Sequence, residues 1–192
     1  MFKSEMLKNQ KICLLIVVFL FSLSTFSNAE NTAAYDRGLF GSWKDFDSDC
    51  QNTRHELLQE LSLDEFTLTD NTCRVLTGLW LDPYTNMYFS ASSELDIDHL
   101  VPLKYAWTRG AYNWPKSKRV KFSNDESNLF AVKKSVNRQK SAMGPAMWLP
   151  PSDNFKCEYI KLFQGIVTKY NLRQANDELS EISIKLDKFC VN

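Results

Sequence analysis

The chain has 192 residues, 23 of them basic and 23 acidic, for a formal charge of +0. That balance excludes a uniformly basic polyanion binder. No low-complexity segment, long linker or internal repeat divides the chain, which excludes a repeat array or a string of domains.

The N-terminus reads as an export signal. Lys3, Lys8 and Lys11 form a basic n-region, Ile12 to Phe26 is a run of apolar and small residues, and Ser27-Asn28-Ala29 offers a cleavage site. The run is shorter than the roughly 20 residues a spanning helix needs. Residues 1–29 are therefore expected to be a signal peptide and residues 30–192 a mature domain, periplasmic or secreted, with no stable membrane association after cleavage. Cys13 opens the apolar run rather than following it, which argues against a lipoprotein. Cys50, Cys73, Cys157 and Cys190 remain. An even count in an exported chain reads as two disulfides with three possible pairings, and the absence of a Cys-x-x-Cys argues against zinc.

Residues 35–50, rich in Asp, Gly and aromatics, read as an irregular arm docked on the core. Thr53 and Glu56 stand at capping-box spacing ahead of Leu57, Leu58 and Leu61, which predicts a short helix from about Thr53. His55 falls on an exposed turn of that helix and is given no role. Alternation over Cys73 to Trp80 predicts a strand, Asp82 to Asn86 a turn and Met87 to Ser90 the return strand. A further strand over Leu95 to Val101 is ended by Pro102. A helical turn and a loop are expected from Pro102 to Trp114, and a second short apolar run covers Asn128 to Val132. Ser135 is the expected N-cap of a helix holding Asn137 and Lys140. Gly144-Pro145 and Pro150-Pro151 break structure on either side of Trp148. Phe155, Tyr159, Leu162, Phe163, Ile166 and Tyr170 recur at helical spacing, as do Leu179, Ile182, Leu186 and Phe189. Asn171 to Gln174 joins these two helices, so they pack antiparallel and bring Cys157 and Cys190 to one end. The preferred pairing is Cys157–Cys190, leaving Cys50–Cys73. Trp80, Trp107, Trp114 and Trp148 read as core or groove wall.

The charge is unevenly spread. Residues 104–140 carry ten Lys or Arg, among them Arg119, Lys133, Lys134 and Arg138, against only Asp125 and Glu126. Such a patch attracts phosphate whatever the net charge. It lies around the residues best suited to chemistry. The chain has two histidines, and His99 directly follows Asp98 in an apolar run. A carboxylate binds a hard cation, a neutral imidazole takes a proton from water near pH 7, and a carboxamide supplies a neutral oxygen ligand. Strand 96–101, strand 128–132 and the helix from about 135 form a β-β-α unit in which the helix carries Asn137 to Asp98, and Asn128 is placed to hold the loop backbone. Asp98 and His99 point to opposite faces of a regular strand. Both reach one phosphate only if the strand distorts or ends there, and Pro102 favours such an end.

Residue by residue, Asp98-His99, Asn128 and Asn137 with Lys140 resemble the HNH branch of the ββα-metal nucleases. Thr53-Arg54, Gly78-x-Trp80-x-Asp82-x-Tyr84, Leu103-x-x-Ala106-Trp107, Gly110-Ala111, Asn124-Asp125 and Trp148-Leu149-Pro150-Pro151 extend the likeness over nearly the whole mature chain. They are similar to an exported HNH endonuclease family related to the nuclease domain of GmrSD-type restriction enzymes. The resemblance implies an α+β fold: a ββα-metal finger at about 95–143 within a disulfide-stapled single domain, followed by a C-terminal helical hairpin. It implies a divalent-metal-dependent endonuclease whose partner is nucleic acid, DNA ahead of RNA, and whose product carries a 5′-phosphate. His99 is the expected general base, with Asn128 and Lys140 as catalytic supports and Asp98 and Asn137 on the metal. Lys140 or Arg138 steadies the phosphate oxygens, and Arg54, Arg119, Lys133, Lys134 and Arg138 bind phosphate or nucleic acid. Asn137 stands where the family often has His, which shifts the expected metal to Mg²⁺ or Mn²⁺. Asp96 backs the metal or is simply a polar strand residue. Two other readings remain open, a non-catalytic exported polyanion-binding module and a phosphodiesterase acting on RNA. The sequence assigns no oligomeric state.

Overall fold

A computed structural model describes residues 34–190; the expected signal segment lies outside the described residues. Helix α1 (Thr53–Glu60) packs Leu57 and Leu58 against a three-stranded antiparallel sheet made of β1 (Thr67–Leu68), β2 (Val75–Asp82) and β3 (Met87–Ala91), in that order. Leu58 and Trp80 are almost wholly buried there, and the Trp80 indole N–H donates to the Leu58 carbonyl at 2.7 Å. Burial of a side chain such as Leu58 stabilises by about 1.5–3 kcal/mol.

Strand β4 (Leu95–His99) leads into α2 (Leu103–Thr108) and α3 (Lys116–Ser123). The chain returns as β5 (Leu129–Lys133), which pairs antiparallel with β4 in the register Asp96↔Val132, Asp98↔Phe130 and His99↔Leu129. Helix α4 (Lys134–Lys140) follows β5 directly and packs on both strands. The odd face of β4 is apolar: Leu95 and Ile97 join Leu129, Ala131, Trp80 and Leu58 in one core cluster. The even face, Asp96 and Asp98, is turned to α4. A larger core gathers α2, α3, α4 and the antiparallel C-terminal pair α5 (Asp153–Tyr170) and α6 (Asn176–Phe189) around Tyr84, Tyr105, Phe122, Tyr159 and Phe163. Trp107 is buried there, and Trp114 and Trp148 pack against it. Among the described residues, no helix is long and apolar enough to cross a membrane.

Two disulfides staple the domain. Cys50–Cys73 ties the arm to the start of the sheet, and Cys157–Cys190 joins α5 to the end of α6, with Cα separations of 5.2 and 5.0 Å. Closing loops of 23 and 33 residues stabilises by about 3–4 kcal/mol each on chain-entropy grounds.

Three local expectations need correction. The N-cap of α1 is Asn52, whose side chain accepts the Arg54 N–H. The Thr53 hydroxyl is instead spent on the Lys44 carbonyl and the Asn124 carboxamide. Helix α4 starts at Lys134 straight out of β5, with Lys133 at its N-cap and no side-chain cap, and Ser135 is exposed. His55 does have a structural role, since its Nδ1 accepts the Val75 N–H at 3.1 Å and ties α1 to β2. Residues 116–123, for which no element was expected, form a full helix, α3. Its sequence, KSKRVKFS, has too few apolar residues to give a periodic signal, although Pro115 immediately ahead marks a helix start.

Candidate active site

Strand β4 stops at His99, and the Leu100–Val101 turn that follows is clamped by one side chain. Asn128 is fully buried. Its Oδ1 accepts the Val101 N–H at 2.8 Å, its Nδ2 donates to the Val101 carbonyl at 3.3 Å, and its own carbonyl accepts the Leu100 N–H at 2.8 Å. The buried Lys140 ammonium donates to the His99 carbonyl at 2.8 Å. The backbone on both sides of the imidazole is therefore fixed from within the β-β-α unit.

The even face of β4 carries two carboxylates in different situations. Asp98 is buried, and both of its protein contacts fall on Oδ2, from the Tyr84 hydroxyl at 2.7 Å and from Lys140 Nζ at 2.8 Å. Burial pushes the Asp98 carboxyl up and the Lys140 ammonium down, and each is opposed by the other's charge. Oδ1 of Asp98 has no protein donor among the described residues. Asp96 is half-buried, and its Oδ2 accepts from Asn137 Nδ2 at 3.1 Å. Because a carboxylate can only accept, this bond orients the carboxamide with its nitrogen toward Asp96 and its oxygen away. The partner Asn137 contacts is thus Asp96 rather than Asp98.

On the other face, His99 is buried and its Nε2 lies 2.9 Å from the Ser123 carbonyl at the end of α3. A carbonyl only accepts, so Nε2 carries the proton and Nδ1 keeps its lone pair. Burial, aided by the positive charges of Arg37 and Lys140, pushes the imidazole down to about 3, so it stays neutral at pH 7. The Trp43 indole lies parallel to the imidazole, with ring centroids 5.2 Å apart and planes 5° apart. A ring stacked on the face leaves the in-plane directions of the two nitrogens free of the indole, and Nε2 uses its own for the Ser123 carbonyl.

Two cavities meet at this strand end. One of about 550 Å³ is lined by Asp96, Asn137, Arg54, Lys134, Arg37 and Trp43. A smaller one of about 140 Å³ is lined by His99, Ser123 and Leu103, again with Arg37 and Trp43. A roomier hollow of about 910 Å³ lies between Lys44, Phe46 and α3 and contains neither the imidazole nor the β4 carboxylates.

The expected phosphate ligands divide. Arg54 and Lys134 line the larger cavity, and Arg54 is held there by the carbonyls of Ser92 and Leu95, both at 3.1 Å. Lys133 is half-buried and Arg138 exposed, and neither lines the cavities at the strand end. Two assignments are corrected. Lys140 has no exposed side-chain surface and cannot touch a phosphate; its charge balances Asp98. Arg119 is a structural tie, donating through Nε to the Leu39 carbonyl at 3.0 Å and to the Trp114 carbonyl. Sequence reasoning also missed Trp43, Ser123 and Arg37 as neighbours of His99. Their separation along the chain gives no periodic signal, and the aromatic content of the arm was the one available hint.

Residues 51–183 match the family model described as GmrSD restriction endonucleases, C-terminal domain. The chain is also similar to an uncharacterized secreted protein of Arthroderma benhamiae, 35% identical over 155 residues that cover 80% of this chain and 74% of that protein. No solved structure matches the chain.

Proposed function

The chain belongs to the family of GmrSD restriction endonuclease C-terminal domains, and from that premise we propose that it is an exported, divalent-metal-dependent endonuclease hydrolysing nucleic-acid phosphodiester bonds, DNA ahead of RNA. The mature enzyme is residues 30–192, released from a signal peptide at 1–29. The observation that carries the reading is the Nε2 contact of His99: with Nε2–H given to the Ser123 carbonyl, the neutral imidazole keeps Nδ1 as its proton acceptor, and the residue lines the smaller cavity.

His99 Nδ1 takes a proton from water as the water oxygen bonds to phosphorus. The phosphorus–O3′ bond breaks on the opposite side, O3′ leaves to be protonated by solvent, and the phosphate stays on the 5′ side. An anionic phosphate beside the ring raises the proton affinity of the imidazole above its value in the free protein. Asn128 and Lys140 act indirectly, by fixing the backbone on which the imidazole stands. Arg54 and Lys134 face the strand from the larger cavity, and Lys133 and Arg138 extend the basic surface outside it.

The donor set proposed for the cation suits a hard ion by its chemistry. Asp98 Oδ1 and the Asn137 amide oxygen are oxygen donors only, the second of them oriented by Asp96, and all four mature-chain cysteines are tied in disulfides. Such a set suits Mg²⁺ or Mn²⁺, which retain several waters, rather than Zn²⁺. When bound, the cation supplies neutralisation of the charge developing on the leaving oxygen.

The test is nicking of supercoiled plasmid by the purified mature protein across Mg²⁺, Mn²⁺, Zn²⁺ and Ca²⁺, with an RNA substrate alongside. Nicking with Mg²⁺ or Mn²⁺ that disappears in EDTA is expected. Retention of plasmid without cleavage, unchanged by EDTA, would make the protein a polyanion-binding module instead.

A further inference from the structure

The segment before residue 51 lies outside the family match, yet it builds much of the wall around His99. Arg37 and Trp43 are the two residues common to the His99 cavity and the Asp96–Asn137 cavity. The arm is bolted down on both sides of them. Phe40 is fully buried among core aromatics, and its carbonyl accepts the Ser123 hydroxyl at 2.8 Å. Gly41 follows at φ +77°, a turn that favours glycine, with Val120 packed closely against it. The Asn124 side chain then grips the backbone on either side of Trp43, donating to the Ser42 carbonyl at 3.4 Å and accepting the Lys44 N–H at 2.9 Å. The Lys44 carbonyl accepts the Thr53 N–H at 2.7 Å. Consecutive residues at the end of α3 therefore hold both stacked rings: Ser123 takes the imidazole N–H, and Asn124 holds the backbone that carries the indole.

We infer that Arg37 and Trp43 complete the nuclease site, Arg37 by binding the scissile phosphate from the wall common to the two cavities and Trp43 as a positioning residue that fixes the plane of the His99 imidazole. The inference rests on the nuclease reading above. Arg37 is exposed and has the one fixed charge on that shared wall, and a guanidinium pairs two phosphate oxygens at once. Trp43 is half-buried and stacks in parallel, so it limits rotation of the imidazole without taking the in-plane position of Nδ1.

The test uses the mature protein with Arg37→Ala, Arg37→Lys, Trp43→Ala and Trp43→Phe, and with Lys104→Ala, an exposed lysine outside both cavities, as a control for lost charge. Arg37→Ala should lower kcat/KM by about a hundredfold, with partial recovery in Arg37→Lys. Trp43→Ala should lower kcat by at least about tenfold with KM unchanged, and Trp43→Phe should restore most of it. A readout independent of cleavage comes from proton NMR, since the chain has two histidines. The ring-current shift of the His99 Cε1–H should vanish in Trp43→Ala and persist in Arg37→Ala. Cleavage by Arg37→Ala equal to Lys104→Ala, or a His99 resonance and kcat untouched by Trp43→Ala, would overturn the inference while the nuclease reading stands. No cleavage by the wild-type protein would remove that reading and the Arg37 role with it, and the NMR comparison would still decide the Trp43 contact.

Discussion

The two faces of strand β4 are built in opposite ways. The even face is local and charged: Asp96 and Asp98 meet Asn137 and Lys140 of the helix that follows the paired strand, with Tyr84 closing the end. The odd face ends in His99, and its surroundings come from far along the chain, Trp43 from the arm and Ser123 from α3. The first face holds its charges by pairing them, and the second keeps an imidazole neutral by burying it. Under the proposed mechanism the first face would supply the oxygen ligands and the second the general base.

The comparison is broken most severely by Lys140→Met, which leaves Asp98 buried without its counter-charge. A loss of about 3–5 kcal/mol is expected, read as a lower urea midpoint, and Asp98→Asn added to it should return part of the loss. An unchanged midpoint would mean the pair is not buried as described. Tyr84→Phe removes the other contact on the same oxygen and should cost about 1.5–3 kcal/mol, since the bond is to a charged group.

The odd face is sharpened by pH. His99 is held at about 3 and His55 is also pushed down, by burial and by Arg54 and Arg74. A histidine depressed in the folded state takes up its proton first in the unfolded chain. Stability is therefore greatest above the unfolded value near 6.5 and is lost as pH falls toward the folded value. For His99 the loss is about 2 kcal/mol at pH 5. Thermal unfolding at pH 7 and pH 5 should show a shallower dependence in His99→Gln than in wild type, and equal slopes would contradict the buried neutral imidazole. The smallest effect falls on the even face. Asn137→Ala should weaken Mg²⁺ activation by about tenfold in midpoint, as loss of one oriented oxygen ligand would, and should change stability by less than about 0.5 kcal/mol.

Much of this was readable in the residues. The C-terminal helices declare themselves through repeated apolar positions, and the expected Cys157–Cys190 pairing follows from their antiparallel packing. The β2–β3 hairpin and β4 are legible because alternation is local, and the turn residues Asp82 to Asn86 and Pro102 mark their ends. The stacked Trp43, the carbonyl of Ser123 and the bracket made by Asn124 are tertiary contacts, which no spacing encodes. Lys140 and Arg119 show a further limit. In sequence both are basic residues of one positively charged segment, and only the fold shows Lys140 buried on Asp98 and Arg119 tied to backbone carbonyls. Helix α3 escaped because its surface is charged and its buried side is narrow, with Phe122 and Ser123 as its buried residues.

The most direct test of the central claim is plasmid nicking in Mg²⁺ by purified His99→Ala, with its circular dichroism spectrum recorded beside the wild type. The neutral imidazole predicts a native spectrum with cleavage reduced by about a thousandfold, within the range for loss of a general base. Full cleavage by a natively folded His99→Ala protein would contradict it.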